Sequence, residues 1–281
     1  MAKQHENKTT IQGQLVRIDS RTGVTKNNQE YLGGKVFVET GDDAVIPVDF
    51  FATKTKKDGT PNGLYKSIET MVNEFKSVAT HGEEEADSIE VGAGEIKENA
   101  YHNDNGALIR GFTIQAPFYK RMGNAQPKAE FIVVGEIISV EDVIKDNVPT
   151  GEALLRMLVV GYGNRANIID FTLNTPEAVQ YAKSNFSAGQ EVKVQGQIVV
   201  EETEPVKEAT GFGAPIVDEN KRSERKLVVL SATPPVSSAI TDEERNQMLS
   251  QREAMLEEGK NKKKASAPAQ PKSNTASGFS L

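Results

Sequence analysis

Cysteine and tryptophan are absent from the 281 residues, and histidine occurs only three times, at His5, His81 and His102. Without cysteine there is no disulfide framework, no thiolate metal site and no cysteine nucleophile, and three scattered histidines, read as surface residues, make a poor zinc site. No run nears the ~20 apolar residues of a membrane helix, and the opening Met1-Ala2-Lys3-Gln4-His5-Glu6-Asn7-Lys8 has no apolar signal core, so the expected compartment is cytoplasmic and no membrane partner is expected. Carboxylates are plentiful, but no pair is spaced like a catalytic dyad, and Glu83-Glu84-Glu85 reads as a solvated loop. Gly161-Tyr162-Gly163-Asn164-Arg165 falls in a hairpin, which removes it as a phosphate loop. The expectation is a non-enzyme without a cofactor. A net charge of −7, from 33 Lys and Arg against 40 Asp and Glu, argues against a histone-like, purely electrostatic grip on duplex DNA and leaves room for a locally basic groove.

The apolar fraction of 37% is lean for one large core, since soluble domains run to ~45–50%, and two small domains with a polar tail are expected. Alternating patterns predict strands at Ile11–Arg17, Tyr31–Glu39 and Val45–Ala52, a helix over Leu64–Val78, and strands at Ile89–Asn99 and Ala107–Gln115. The order β-β-β-α-β-β then recurs: strands at Phe131–Ser139, Ala153–Tyr162 and Ala166–Leu173, a helix capped by Thr175 with Pro176 at its first position, and strands at Glu191–Glu201 and Lys226–Ala232. Gly13-Gln14-Leu15 answers Gly135-Glu136-Ile137, and Gly94-Glu95-Ile96 answers Gly196-Gln197-Ile198. Five strands with a helix between the third and fourth mark the oligonucleotide/oligosaccharide-binding barrel. The expected fold is therefore mainly β: two tandem five-stranded OB-fold-like barrels at 9–121 and 128–236, a C-terminal helix over 241–258, and a disordered tail over 259–281.

The stretch Ser187-Ala-Gly-Gln-Glu-Val-Lys-Val-Gln-Gly-Gln-Ile-Val-Val resembles the fourth strand of bacterial single-stranded DNA-binding proteins, and Phe131-Ile-Val-Val-Gly-Glu-Ile is similar to their first. The resemblance covers both barrels in layout but only these two stretches in wording. It implies single-stranded DNA as ligand, with replication or recombination proteins as partners. The departures are two barrels in one chain and a basic tail in place of an Asp- and Gly-rich one, with only Phe279 and Leu281 like the family's hydrophobic tip. That layout fits a phage-type replication or recombination protein, which would work in the host cytoplasm. The competing expectation is a protein-interaction or virion-assembly module on the same barrels.

Binding single strands takes aromatic faces for bases and Lys or Arg for phosphates. With the aliphatic sets Val36/Val38 and Ile46/Val48 inside, Tyr31, Lys35, Phe37 and Phe51 face outward; the opposite parity would put one or both Phe in the core. Arg21, Lys26, Lys54, Lys56 and Lys57 flank this face, and Tyr101, Arg110 and Tyr119 are candidates to line the groove, while Phe112 reads as core. In the second barrel one parity mixes Arg156, Leu158, Val160 and Tyr162, an outer apolar patch that predicts contact with the first barrel or with a second subunit of a homo-oligomer. Arg156, Tyr162, Arg165 and Lys193 are secondary DNA candidates there. The segment Glu202–Arg225, with Phe212, reads as a hairpin tip rather than a flap over the strand.

Overall fold

A computed structural model describes residues 4–41, 44–124, 126–203, 207–208, 216–217 and 222–266. The first half runs β1 (Asn7–Val24), β2 (Glu30–Glu39), β3 (Val45–Thr53), α1 (Gly63–Glu74), α2 (Val78–His81), β4 (Ser88–His102), β5 (Leu108–Gln115) and β6 (Phe118–Met122). The second runs β7 (Lys128–Lys145), β8 (Val148–Gly161), β9 (Arg165–Leu173), α3 (Pro176–Asn185), β10 (Gln190–Thr203), β11 (Lys207–Glu208), β12 (Ile216–Val217), β13 (Arg222–Ala232), β14 (Val236–Ser237) and α4 (Asp242–Ser266). The chain is mainly β.

In the first half β1 pairs with β2, β2 with β3, β3 with β5 in parallel, β5 with β4, and β4 returns to β1. In the second half β7, β8, β9, β13 and β10 pair in the same order and return to β7, again with one parallel step, at Val228 and Thr172. The first circuit buries Leu15, Val36, Val38, Ile46, Val48, Phe50, Ile68 and Ile114 and the second Phe131, Ile137, Leu155, Ile169, Phe171 and Val194, all within one contiguous apolar cluster. Antiparallel pairing of Asn7–Gln12 with Lys128–Val133 joins the two into one twelve-stranded sheet.

The repeat extends to defects of the same kind. β1 shifts register between Leu15 and Arg17, and β7 between Ile137 and Ser139, each two residues after the glycine that the wording matched. A bulge bends and twists its strand, as wrapping a small core requires. Gly94 and Gly196 sit where such bent strands nearly touch: a Cβ would lie 2.1 Å from the Thr9 hydroxyl oxygen and 1.9 Å from the Val228 carbonyl oxygen, respectively. At Gly196 a side chain forces the backbone of β13 away, whereas at Gly94 it first displaces the Thr9 hydroxyl.

The structure changes several expected boundaries. β1 begins at Asn7, two residues ahead of the expected barrel, and β6, not foreseen, pairs Ser88–Gly92 with Phe118–Met122. The helix expected over 64–78 stops at Glu74 because Phe75 is extended; Ser77 and Thr80 then form a reciprocal capping box for the separate turn α2. Thr175 caps α3 as expected, its hydroxyl accepting from Ala178 N at 3.2 Å. α4 does not end at 258. It runs to Ser266. Residues 267–281 of the expected tail, and Phe212, lie outside the described residues.

His5 corrects the expectation of a surface residue. It is buried beside β8, with the backbone N–H of Val160 donating to Nδ1 at 3.3 Å and Nε2 3.5 Å from a Glu191 carboxylate oxygen. His5 N also donates to the Val160 carbonyl at 3.0 Å. Burial holds the imidazole below its ordinary value against the pull of Glu191 and Glu136. Protonating Nδ1 would set it against the Val160 N–H. The unfolded chain therefore takes up this proton first, and stability falls as pH drops below ~6.5. We expect the urea midpoint of His5→Gln to depend less on pH than that of the wild type between that value and the lower folded one; parallel profiles would exclude His5 as the source.

Candidate nucleic-acid interface

The outer face of β1, β2 and β3 is laid out in columns of directly opposed residues. They run Arg17, Phe37, Pro47; then Asp19, Lys35, Asp49; then Arg21, Gly33, Phe51; then Gly23, Tyr31, Thr53. Val36, Val38, Ile46, Val48 and Phe50 are buried beneath, so the parity that faces Phe37 and Phe51 outward is the one adopted. Phe51 is 46% exposed and its ring centroid lies 5.2 Å from that of Tyr31. The opposed glycines make room for these rings. A Cβ on Gly23 would lie 2.8 Å from the Tyr31 ring, and one on Gly33 3.2 Å from Phe51 Cδ2. Arg17 lies over Phe37 with its guanidinium carbon 3.8 Å from the centroid, steadied by Asp19 at 3.2 Å from Nε.

Two kinds of cation surround the rings. Arg21, Lys26, Lys56 and Lys57 are exposed and carry no ion pair among the described residues. Lys35 pairs with Asp49 at 2.8 Å, and Lys54 with Glu30 at 2.6 Å. Exposed pairs of this kind are worth ~0–1 kcal/mol, so an incoming phosphate can displace the carboxylate. The face therefore offers flat apolar rings at regular strand spacing and cations able to change partner.

The same columns in the second half carry different chemistry. Arg17, Phe37 and Pro47 correspond to Ser139, Arg156 and Asp170, and Asp19, Lys35 and Asp49 to Glu141, Leu154 and Thr172. No aromatic ring stands there. Arg156 donates to Asp170 from Nε at 2.7 Å and from Nη2 at 3.0 Å, and to Glu141 from Nη1 at 3.0 Å. These partners raise its pKa, Asp170 foremost, and commit the guanidinium to neighbouring strands. Arg156 is thus held by carboxylates on two neighbouring strands, unlike the unpaired cations of the first half.

The remaining candidates divide. Tyr119 is not a groove residue: its ring packs edge-on against Phe50, burial pushes its phenol well above the ordinary range, and its hydroxyl donates to the Ala116 carbonyl at 3.3 Å. β6 carries it inward. Tyr101 is exposed at the end of β4 opposite Ile109, away from Tyr31 and Phe51 in the pairing order. Tyr162 and Arg165 are exposed at the β8–β9 turn, and Lys193 pairs with Glu6 at 2.8 Å, its ammonium pulling the Glu6 carboxyl down to about 2. The outer patch at Leu158 and Val160 is fully buried by the chain itself; Val160 packs with Ile240 and with Met248 of α4.

Arg110 faces a cleft of about 730 Å³ between the halves, whose lining includes Phe112, Ile144, Leu154, Thr172 and Arg225. Arg225 lies over the Phe112 ring, 5.3 Å from its centroid. Sequence reasoning missed Arg17 and Arg225. Strict alternation from Ile11 and Leu15 would bury Arg17, and only the bulge at Val16 turns it outward; Arg225 falls at the end of an expected loop and is in fact strand.

A family model described as YorF matches residues 5–262. Among solved structures, the wild-type single-stranded DNA-binding protein from Thermus aquaticus superposes with a TM-score of 0.50 at 14% identity, over 85% of this chain and 97% of that one. A deletion mutant of the Thermus aquaticus protein gives 0.50 at 13% identity, over 85% and 98%. At such identities the likeness is one of fold. No curated protein matches the sequence.

Proposed function

The chain belongs to the YorF family, and we propose that this member binds single-stranded DNA, without strong sequence preference, on the outer face of β1 to β3. The observation that carries the reading is the outward-facing array itself, the Tyr31–Phe51 ring pair beside Arg17 on Phe37, with cations that have no ion pair among the described residues on the same half. Stacking is indifferent to base identity because every base has a π-face, and phosphate contacts carry no sequence information. We read the two pairing circuits as tandem OB-fold barrels, supported by the shared strand order, the helix between third and fourth strands, and the repeated bulge. Within this reading the protein coats strands exposed during replication or recombination, in the manner of phage-encoded proteins, and acts in the host cytoplasm without chemistry of its own. The assembly-module alternative and the homo-oligomer draw on the outer patch of the second half, where Leu158 and Val160 are already buried within the chain itself.

The test is fluorescence anisotropy of a labelled dT oligonucleotide about 30 nucleotides long, sized for two barrels at ~4–16 nucleotides each, against a duplex of equal length. We expect tight single-strand binding that weakens linearly on a log–log salt plot, and little duplex binding. Absence of single-strand binding at low salt overturns the proposal.

A further inference from the structure

The cleft between the halves holds a cation arrangement that the outer face does not use. Phe112 forms its wall on β5, with Arg110 two residues away on the same side of that strand and Arg225 of β13 laid over the ring. Among the described residues neither arginine has an ion pair, whereas the other charged groups nearby are largely matched: Lys226 with Glu201 at 2.8 Å and Glu152 at 3.6 Å, and Asp170 with Arg156. Glu224 and Lys145 complete the charged lining. Burial depresses the Arg225 pKa, opposed by the Asp49 charge, so a partly desolvated guanidinium stands there with no carboxylate in direct ion-pair contact among the described residues. A buried charge of this kind is costly until an anion meets it. Asp49 belongs to the outer face, in the Lys35 column, so Arg225 marks the seam where that face passes into the cleft.

We propose that the cleft takes a phosphate-bearing stretch of the same strand that the outer face binds, held by Arg110 and Arg225 beside the Phe112 ring. This rests on the single-strand reading above and adds a second point of attachment to it. The cleft's volume lies within the ~300–1,000 Å³ of ordinary ligand sites, and its floor, at Leu154 and Thr172, is the second-half counterpart of the outer face. A strand crossing the seam would touch both halves, so its grip depends on their fixed relative placement.

The test uses the full chain and two probes, dT8, short enough for one barrel, and dT30. Arg110→Gln combined with Arg225→Gln should leave dT8 affinity unchanged, weaken dT30 about tenfold or more, and lower the salt slope for dT30 by about 1.4, since each phosphate left without its arginine lowers the slope by ~0.7 on a single strand. Arg110→Gln alone, at an exposed position, keeps the test valid should the double variant fold poorly; it should lower the slope by about 0.7, half the change expected of the double variant. Equal weakening of dT8 and dT30 would assign the arginines to the outer face and overturn the cleft. Unchanged dT30 binding overturns the cleft and leaves the outer face standing. Failure of the wild type to bind either probe overturns both.

Discussion

Replacing Phe37 and Phe51 together with alanine weakens dT30 binding by about 2–6 kcal/mol, at ~1–3 kcal/mol per stacked base, a loss of at least ~30-fold. The residues are chosen because their removal separates ligand binding from folding. Both stand on the side of β2 and β3 opposite the core set Val36, Val38, Ile46, Val48 and Phe50, so neither leaves a cavity. What the fold gives up is one ring pair with Tyr31 and one cation–π interaction with Arg17, each worth ~0.5–1.5 kcal/mol. The melting temperature should therefore fall by only several degrees, leaving the protein folded at the assay temperature, while affinity collapses. A salt series adds a second criterion: the double variant should keep the wild-type slope, since stacking releases no counter-ions, whereas Arg21→Gln should flatten it. Unchanged affinity would remove the outer face of β1 to β3 as the binding surface.

The strands are legible in the sequence where one side meets a core and the other meets water, because burial forces a period of two. That covers β2 and β3, and with them the outward Phe37 and Phe51. Alternation breaks down where the chain departs from it physically. At Val16 one extra residue turns Arg17 from an inward to an outward position, and nothing in the local composition announces it. β6 pairs along β4 and takes Tyr119 into the core, a placement decided by Val91 directly opposite rather than by its own neighbours in sequence. Arg156 is outward, as its parity implies, but its fate is set by Asp170 on the next strand and Glu141 on the previous one. The cleft is hidden from the sequence for the same reason, as Phe112 and Arg225 are joined only by how the halves meet.

Helix α4 gives the second large effect, because Arg252→Ala should destabilise the protein by about 3–5 kcal/mol. Arg245 and Arg252 lie seven residues apart, two helical turns, and so share a face with Met248, which is buried between them on Val160 and Ile240. Arg245 grips Glu136 of β7 in two hydrogen bonds, that from Nη2 at 2.8 Å, and Arg252 likewise grips Glu98 of β4, that from Nε at 2.7 Å. One helix thus pins a strand from each half. The Glu98 carboxylate is nearly inaccessible, and also accepts from Ile168 N at 3.1 Å. Removing Arg252 alone strands that charge. If stranded charge is the cause, Glu98→Gln with Arg252→Met should recover most of the loss, since the Gln carbonyl still serves Ile168 and the Met stem still fills space. Chemical unfolding of the two variants decides it: a loss below ~1 kcal/mol for Arg252→Ala would mean that the pair exchanges freely with solvent. Should the large loss appear, the cleft arginines inherit a consequence. Their spacing depends on the two halves staying pinned, so a strand that bridges the seam should bind the Arg252→Ala protein less tightly than dT8 comparison alone predicts, even under conditions where the protein remains folded.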